Sequence, residues 1–368
     1  MKSFTHLIEE VQERGLCHHC GGCVAFCTAI NYGALELGED GKPRYRDRDR
    51  CIDCGICYAI CPEIEELDRE TKHLVNWTPP MGPVLGTAMA RASNPEVWTR
   101  GTDGGVVTAL LLYLLERGRI DAAIVSRRAG PFQRQPWLAI SRKDLLDAAG
   151  FHFDTVPSIA HFSETYSTFS PSIMELQGVA KKTYKRVAFV GTPCQIKALR
   201  RMEVLGVVPS DAIKVHLGLF CAGNFQFGPE ERRRLETIGN FEWADVLKVN
   251  VKEDLMIHLR QGGVRHILLE HLDFMKRYAC RFCEDYTAEY ADLSFGGLGA
   301  LEGWTTVIIR TPLGRELFNR ARGLALEVSL HQEHSLLYQA SIAKVAEWSE
   351  RKKRTAAENC LELGQVAV

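Results

Sequence analysis

Residues 17–27 read CHHCGGCVAFC and residues 51–62 read CIDCGICYAICP. Cys17, Cys20, Cys23 and Cys27 have the spacing C-x2-C-x2-C-x3-C. Cys51, Cys54, Cys57 and Cys61 repeat it, with Pro62 behind them. The spacing has a geometric reading. Three thiolates separated by two residues each wrap a tight loop around one cubane, whose fourth iron takes a cysteine from outside that loop. Gly21, Gly22 and Gly55 let these loops come close to the cubane without a Cβ clash.

The doubled run is the signature of a bacterial two-cluster ferredoxin, in which the fourth cysteine of each run serves the other cluster. That assigns Cys17, Cys20, Cys23 and Cys61 to one 4Fe-4S cluster. Cys51, Cys54, Cys57 and Cys27 go to the other. A pair of zinc knuckles is the weaker reading, because zinc sites pair two C-x2-C units across a longer gap. Thr28 stands where the signature has a proline, which weakens a turn and removes no ligand. His18 and His19 lie between ligands in a run that lacks no cysteine, so both are expected to face solvent.

Eight of the 13 cysteines in this 368-residue chain lie in these runs. A chain that is 46% hydrophobic and 25% charged buries a core without disulfide staples and is neither disordered nor fibrous. With 45 Lys+Arg against 46 Asp+Glu it lacks the basic excess of a nucleic-acid binder. The opening MKSFTHLIEEVQERG has no apolar signal region, and the longest apolar stretch, Val106 to Leu115, is about half a bilayer span. A soluble, cytoplasmic protein in a reducing compartment is expected, with no transmembrane segment.

Beyond the runs, Asn76 to Gly86 is dense in Pro and Gly and reads as a domain boundary. Gly104-Gly105 opens an apolar helix that ends near Gly118. Strands are expected at Asp121 to Ser126, Val187 to Gly191, Ile213 to Phe220 and Thr305 to Arg310. Helices are expected at Lys143 to Ala149, Ser172 to Lys182 and Gln195 to Met202, with another behind Thr311-Pro312. The alternation implies an α/β core with a largely parallel sheet. Val246 to Leu269 reads as antiparallel hairpins, and Lys344 to Asn359 as a charged surface helix.

Cys194 and Cys221 each follow an apolar strand, so a parallel sheet places both on its carboxyl edge. Cys280 and Cys283 form a further C-x2-C pair. Four thiols suffice for a third cluster, but spacing alone equally allows buried free cysteines or half a zinc site. Cys360 has no partner in sequence.

Five segments resemble the beta subunit of coenzyme F-420 hydrogenase/dehydrogenase: TDGGVVT (102–108), GTPCQ (191–195), FCAGNF (220–225), the stretch Cys280 to Gly299, and GWTTVIIR (303–310). The resemblance runs in order from about Met89 to Ala321. It implies an α+β or α/β fold, a bacterial-ferredoxin-like domain followed by a mixed α/β flavoprotein core. The core would hold FAD, with Cys194, Cys221, Cys280 and Cys283 holding a third 4Fe-4S cluster. Flavin contacts are implied at Asp103, Gly104, Gly105, Thr108, Thr192, Gly296, Gly297, Gly299, Trp304 and Thr305. The expected divisions are 1–78 for the ferredoxin-like domain, 79–340 for the core and 341–368 for a helical tail.

The implied activity is that of an F-420-dependent oxidoreductase, active within a complex. F-420 carries a hydride and clusters carry single electrons, so FAD stands between them. Electrons would pass through three clusters to or from a partner: hydrogenase, formate dehydrogenase or heterodisulfide-reductase-like subunits, or ferredoxin. The alternatives are an F-420-independent member of the family and a flavin-free polyferredoxin-like relay. Lys181, Lys182, Lys185 and Arg186 read as a solvated helix end, with attraction of the F-420 tail the second reading. His152 and His161, in a loop-like aromatic stretch, read as core or loop residues, with a cofactor contact the second reading.

Overall fold

The computed structural model describes residues 2–29, 32–130, 133–150, 170–182, 184–329 and 336–366. The two cysteine runs fold alike. His19 and Asp53, each two positions past the first cysteine of its run, have left-handed backbone, as do Gly21 and Gly55. These turns aim each loop into a helix, Gly22–Ala29 and Ile56–Ala59, that carries the third cysteine. The missing proline has a visible effect. The Thr28 hydroxyl donates back to the carbonyl of Val24 at 2.9 Å, and that helix runs on to Ala29. Its counterpart stops before Cys61-Pro62. Between the runs, strands β1 (Leu35–Leu37) and β2 (Pro43–Tyr45) pair antiparallel.

Eight strands form the main sheet: β3 (Gly86–Ala92), β4 (Ala122–Gly130), β5 (Gln133–Ala139), β6 (Val187–Gly191), β7 (Ile213–Leu219), β11 (Leu293–Gly296), β12 (Thr305–Ile309) and β13 (Leu326–Val328). Their order is β13-β3-β12-β11-β7-β6-β4-β5. Among neighbours, β4-β6, β6-β7 and β7-β11 pair parallel, and β5-β4, β11-β12, β12-β3 and β3-β13 pair antiparallel. The expectation of a largely parallel sheet is therefore corrected to a mixed one. β4, β6 and β7, read as strands from the sequence, do pair parallel, whereas β12, also read from it, pairs antiparallel on both sides. β5 follows β4, and β12 follows β11, by connections too short for the crossover a parallel pair needs. A separate three-stranded meander, β8 (Val246–Val251), β9 (Asp254–Leu259) and β10 (Val264–Leu268), packs on helix Pro229–Gly239.

Both faces of the main sheet are covered, which is why its central strands are apolar throughout. Ala123, Val125, Ala188 and Val190 face helices Val106–Glu116 and Pro312–Ala321. Ile124, Val187 and Phe189, one residue out of phase, face helix Pro193–Val204. Cys20, Phe26 and Ile60 of the cysteine-rich module join this second cluster, so the module shares a core with the sheet. Arg201, with no exposed surface, reinforces the joint: it donates to the carbonyl of Cys61 and pairs with Asp68. The C-terminal stretch, expected as a surface helix, is the long helix Leu336–Val366, and it buries Val345, Ser349 and Ala356.

Candidate functional site

Cys17, Cys20, Cys23 and Cys61 line one void, beside Leu7, Val11 and Ile60. Cys27, Cys51, Cys54 and Cys57 line a second, beside Phe4, Phe26 and Leu35. In each set the fourth thiol comes from the other run. Burial pushes the Cys20 thiol up to about 11 and the Cys57 thiol up to about 12. Such thiols ionise only against a strong cation. Among the described residues no three His, Cys, Asp or Glu side chains close on a point that suits one metal ion. The thiols stand around voids in apolar walls, and this donor set fits a multi-iron cluster.

The sheet positions the other four. β6 and β7 are adjacent and parallel, with Gly191 opposite Gly218. Cys194 opens the helix after β6, and Cys221 lies just past β7. Cys280 sits on the turn Tyr278–Arg281, its sulfur accepting from the N–H of Asn224 at 3.3 Å. Cys194 and Cys221 both lie within electrostatic reach of Cys283. Burial drives the Cys221 thiol up to about 11. Cys280 departs from this pattern: burial pushes it up, but His18, the Asn224 N–H and Lys352 outweigh it and bring it down to about 7.

His18 is a correction. It is buried, not solvent-facing, and its ring nitrogen lies 2.5 Å from the Glu63 carboxylate. The carbonyl of His18 accepts from Arg277 at 2.6 Å. Placed between Cys20 and the core thiols Cys194 and Cys280, it belongs to the seam between module and core. His19 is half-buried. Sequence reading also missed Lys352, whose ammonium donates to the carbonyls of Cys221 and Asp285 at 2.7 and 2.8 Å. A lysine in a charged helix gives no signal of this.

A cavity of about 280 Å³ opens at the carboxyl ends of the parallel strands, lined by Val125, Ser126, Val190, Gly191, Leu219, Phe295 and Gly296. This is where open α/β sheets take ligands. Asp103, Gly105, Thr108, Thr192 and Thr305 also line it. Gly104 supports the wall, its N–H donating to the Thr305 hydroxyl at 3.0 Å. Asp103 accepts from Asn250 at 3.1 Å. Gly297, Gly299 and Trp304 are not among the described lining residues. Gly297 packs against Asp103, Gly299 against Ser341 of the C-terminal helix, and Trp304 under the Arg91 guanidinium. Arg134, which the sequence did not single out, lines the cavity while bonded to the Ser126 carbonyl at 2.6 Å. The Thr192 hydroxyl stands 3.3 Å from the Cys194 sulfur, so one residue separates cavity from core thiols.

Arg186 is bound to Asp121 at the opposite, amino edge of the sheet, away from this cavity. His152 and His161 lie outside the described residues. Among the described residues no helix is long and apolar enough to cross a membrane.

Comparison with known proteins gives the same arrangement a family. Residues 87–162 match the model for the N-terminal part of the coenzyme F-420 hydrogenase/dehydrogenase beta subunit, and residues 184–330 the model for its C terminus. A coenzyme F-420 hydrogenase beta subunit from Methanothermobacter thermautotrophicus is 31% identical over 248 residues, 65% of this chain and 83% of that protein. The chain belongs to the coenzyme F-420 hydrogenase/dehydrogenase beta-subunit family. Residues 9–62 add a 4Fe-4S dicluster domain. Within the family, a component of the F-420H2 dehydrogenase of Methanosarcina mazei is 25% identical over 323 residues, 86% of this chain and 85% of that one. A chain of the F-420-reducing NiFe hydrogenase complex of Methanosarcina barkeri matches the fold with a TM-score of 0.66 and 26% identity, covering 78% of this chain and 94% of that one.

Proposed function

We propose that this beta-subunit family member exchanges a hydride between coenzyme F-420 and FAD and passes single electrons through three 4Fe-4S clusters to or from a partner oxidoreductase subunit. The observation that carries the reading is the order of the four sites. The cavity touches Cys194 through Thr192, and Cys194 lies in reach of Cys20. The set of Cys17, Cys20, Cys23 and Cys61 therefore comes next. The set of Cys27, Cys51, Cys54 and Cys57 comes last, beside the exposed Ile52.

FAD and the clusters would supply the conversion between two-electron and one-electron chemistry. The chain's own residues do the rest. Gly105 presents the N-terminus of helix Val106–Glu116 to the cavity, a place suited to a pyrophosphate. Apolar walls from Val125, Val190, Leu219 and Phe295 exclude water from the flavin end. Cys194, Cys221, Cys280 and Cys283 would hold the core cluster, and Arg201 keeps the dicluster module docked beside it. The exposed edge around Ile52 and Asp53 is where a partner subunit would receive or deliver electrons.

The test is stoichiometry. Protein purified anaerobically is expected to carry one FAD and about twelve iron atoms per chain. About eight irons would remove the core cluster, and a chain without flavin would be a relay of clusters only.

A further inference from the structure

The C-terminal helix Leu336–Val366 begins beyond residue 330, where the match to the family model ends. It nevertheless reaches the core thiols. Lys352 is half-buried, and its ammonium turns inward to donate to the carbonyl oxygens of Cys221 and Asp285. One turn earlier Ser349 is fully buried. Two turns later Asn359 donates to the Arg281 carbonyl at 2.8 Å, inside the loop that carries Cys280 and Cys283. The helix is thus pinned across two of the three segments that supply the core cysteines. Cys221, Cys280 and Cys283 all act electrostatically on the Lys352 charge.

We propose that Lys352 is a fixed positive charge that raises the reduction potential of the core cluster. The inference rests on the reading of Cys194, Cys221, Cys280 and Cys283 as that cluster's ligands. The step is the gain of one electron by the cluster, with no bond made or broken in the protein. Four thiolates give the site a net negative charge, and the added electron increases it. A cation held at hydrogen-bonding distance from a ligand's carbonyl lowers the cost of that increase. Net charge and hydrogen bonding around the sulfurs are the levers by which proteins set such potentials. Two donors of the ammonium are committed to carbonyls on different segments, so the charge cannot swing away to solvent.

The experiment compares the full-length holoprotein with Lys352→Gln, Lys352→Met and Lys352→Arg in an anaerobic redox titration followed by electron paramagnetic resonance. Iron is counted in each. Both neutral variants should keep about twelve irons, and one of three reduction waves should move to lower potential. A shift of tenfold or more in its one-electron equilibrium, about 59 mV, is expected. Lys352→Arg should bring that wave back most of the way, and the other two waves should stay in place. The inference is overturned if the wave does not move with iron intact, or if arginine shifts it as far as glutamine does. Loss of the third cluster from both neutral variants would assign Lys352 to assembly and overturn it too. Wild-type protein with about eight irons and two waves would instead defeat the core-cluster reading.

Discussion

Gly105 and Gly118 flank the same helix, and both have left-handed backbone, with φ of 69° and 61°. An alanine at either position incurs the same left-handed penalty, about 1–2 kcal/mol. Their surroundings differ. A Cβ on Gly118 would meet nothing within 4 Å, whereas one on Gly105 would lie 2.9 Å from the Val97 carbonyl oxygen and 3.2 Å from the Trp98 Cα. Both are backbone atoms and cannot rotate aside. The helix N-terminus must shift by a few tenths of an ångström, and overpacking of this kind adds about 1–3 kcal/mol. Gly105 lines the cavity; Gly118 is not among its described lining residues. Gly118→Ala should therefore lower the thermal midpoint and leave FAD binding as it was. Gly105→Ala should lower the midpoint further and weaken FAD binding by about ten- to a hundredfold, since 1.4 kcal/mol is tenfold. The assay is a titration of flavin-stripped protein, read by quenching of flavin fluorescence, beside thermal unfolding of both variants. FAD affinities within twofold of each other in two folded variants would refute the placement of flavin in this cavity.

Other outcomes follow from the same geometry. Arg201→Met keeps volume but strips Cys61 and Asp68 of their buried partner, although Lys197 still reaches Asp68 at 3.0 Å. Asp68 is part-exposed and keeps Lys197, so the main cost is the Cys61 carbonyl left without its donor, about 1–3 kcal/mol; limited proteolysis should cut between residues 76 and 86 faster, and an unchanged rate would refute the docking role. Cys61→Ala should remove the cluster nearer the core and stop electrons reaching the outer one. Cys27→Ala should remove the outer cluster and leave the inner one reducible; the reverse pattern in spin resonance would contradict the crossed ligand sets. Burial alone would push the Asp292 carboxyl up, but the Arg200 guanidinium at 3.0 Å and His216 outweigh it and hold it well below the usual range. Its folded value is depressed, so its stabilising contribution is whole above the unfolded value of about 3.9 and is lost as pH falls below that. Asp292→Asn should flatten the acid limb of the stability curve between about pH 4 and pH 2.

What was legible in the sequence was what local geometry dictates. Cysteine spacing is a property of one loop, so both runs are recognisable before any strand is placed, and the crossing of each fourth cysteine follows from the two-cluster signature. The central strands announced themselves as apolar runs because both their faces are covered. β3 did not, because GTAMARA is small and partly polar; its place depends on pairing with β12 and β13. The core thiols come from three separated segments, and only the sheet brings them near one another. His18 looked like a spare ligand-run residue until Glu63 and Arg277 closed over it. Lys352 was hidden for the opposite reason: in a charged helix, one inward lysine looks like all the others.

On this reading, hydride exchange at the cavity and single-electron exchange through the clusters form one path, open in either direction. Anaerobic rapid mixing of the FAD- and iron-loaded protein with F-420H2 tests it most directly. Flavin absorbance should fall first, followed by bleaching of the iron–sulfur absorbance, with NADPH producing neither. Flavin that stays oxidised under F-420H2, or clusters that are reduced equally fast in flavin-stripped protein, would contradict it.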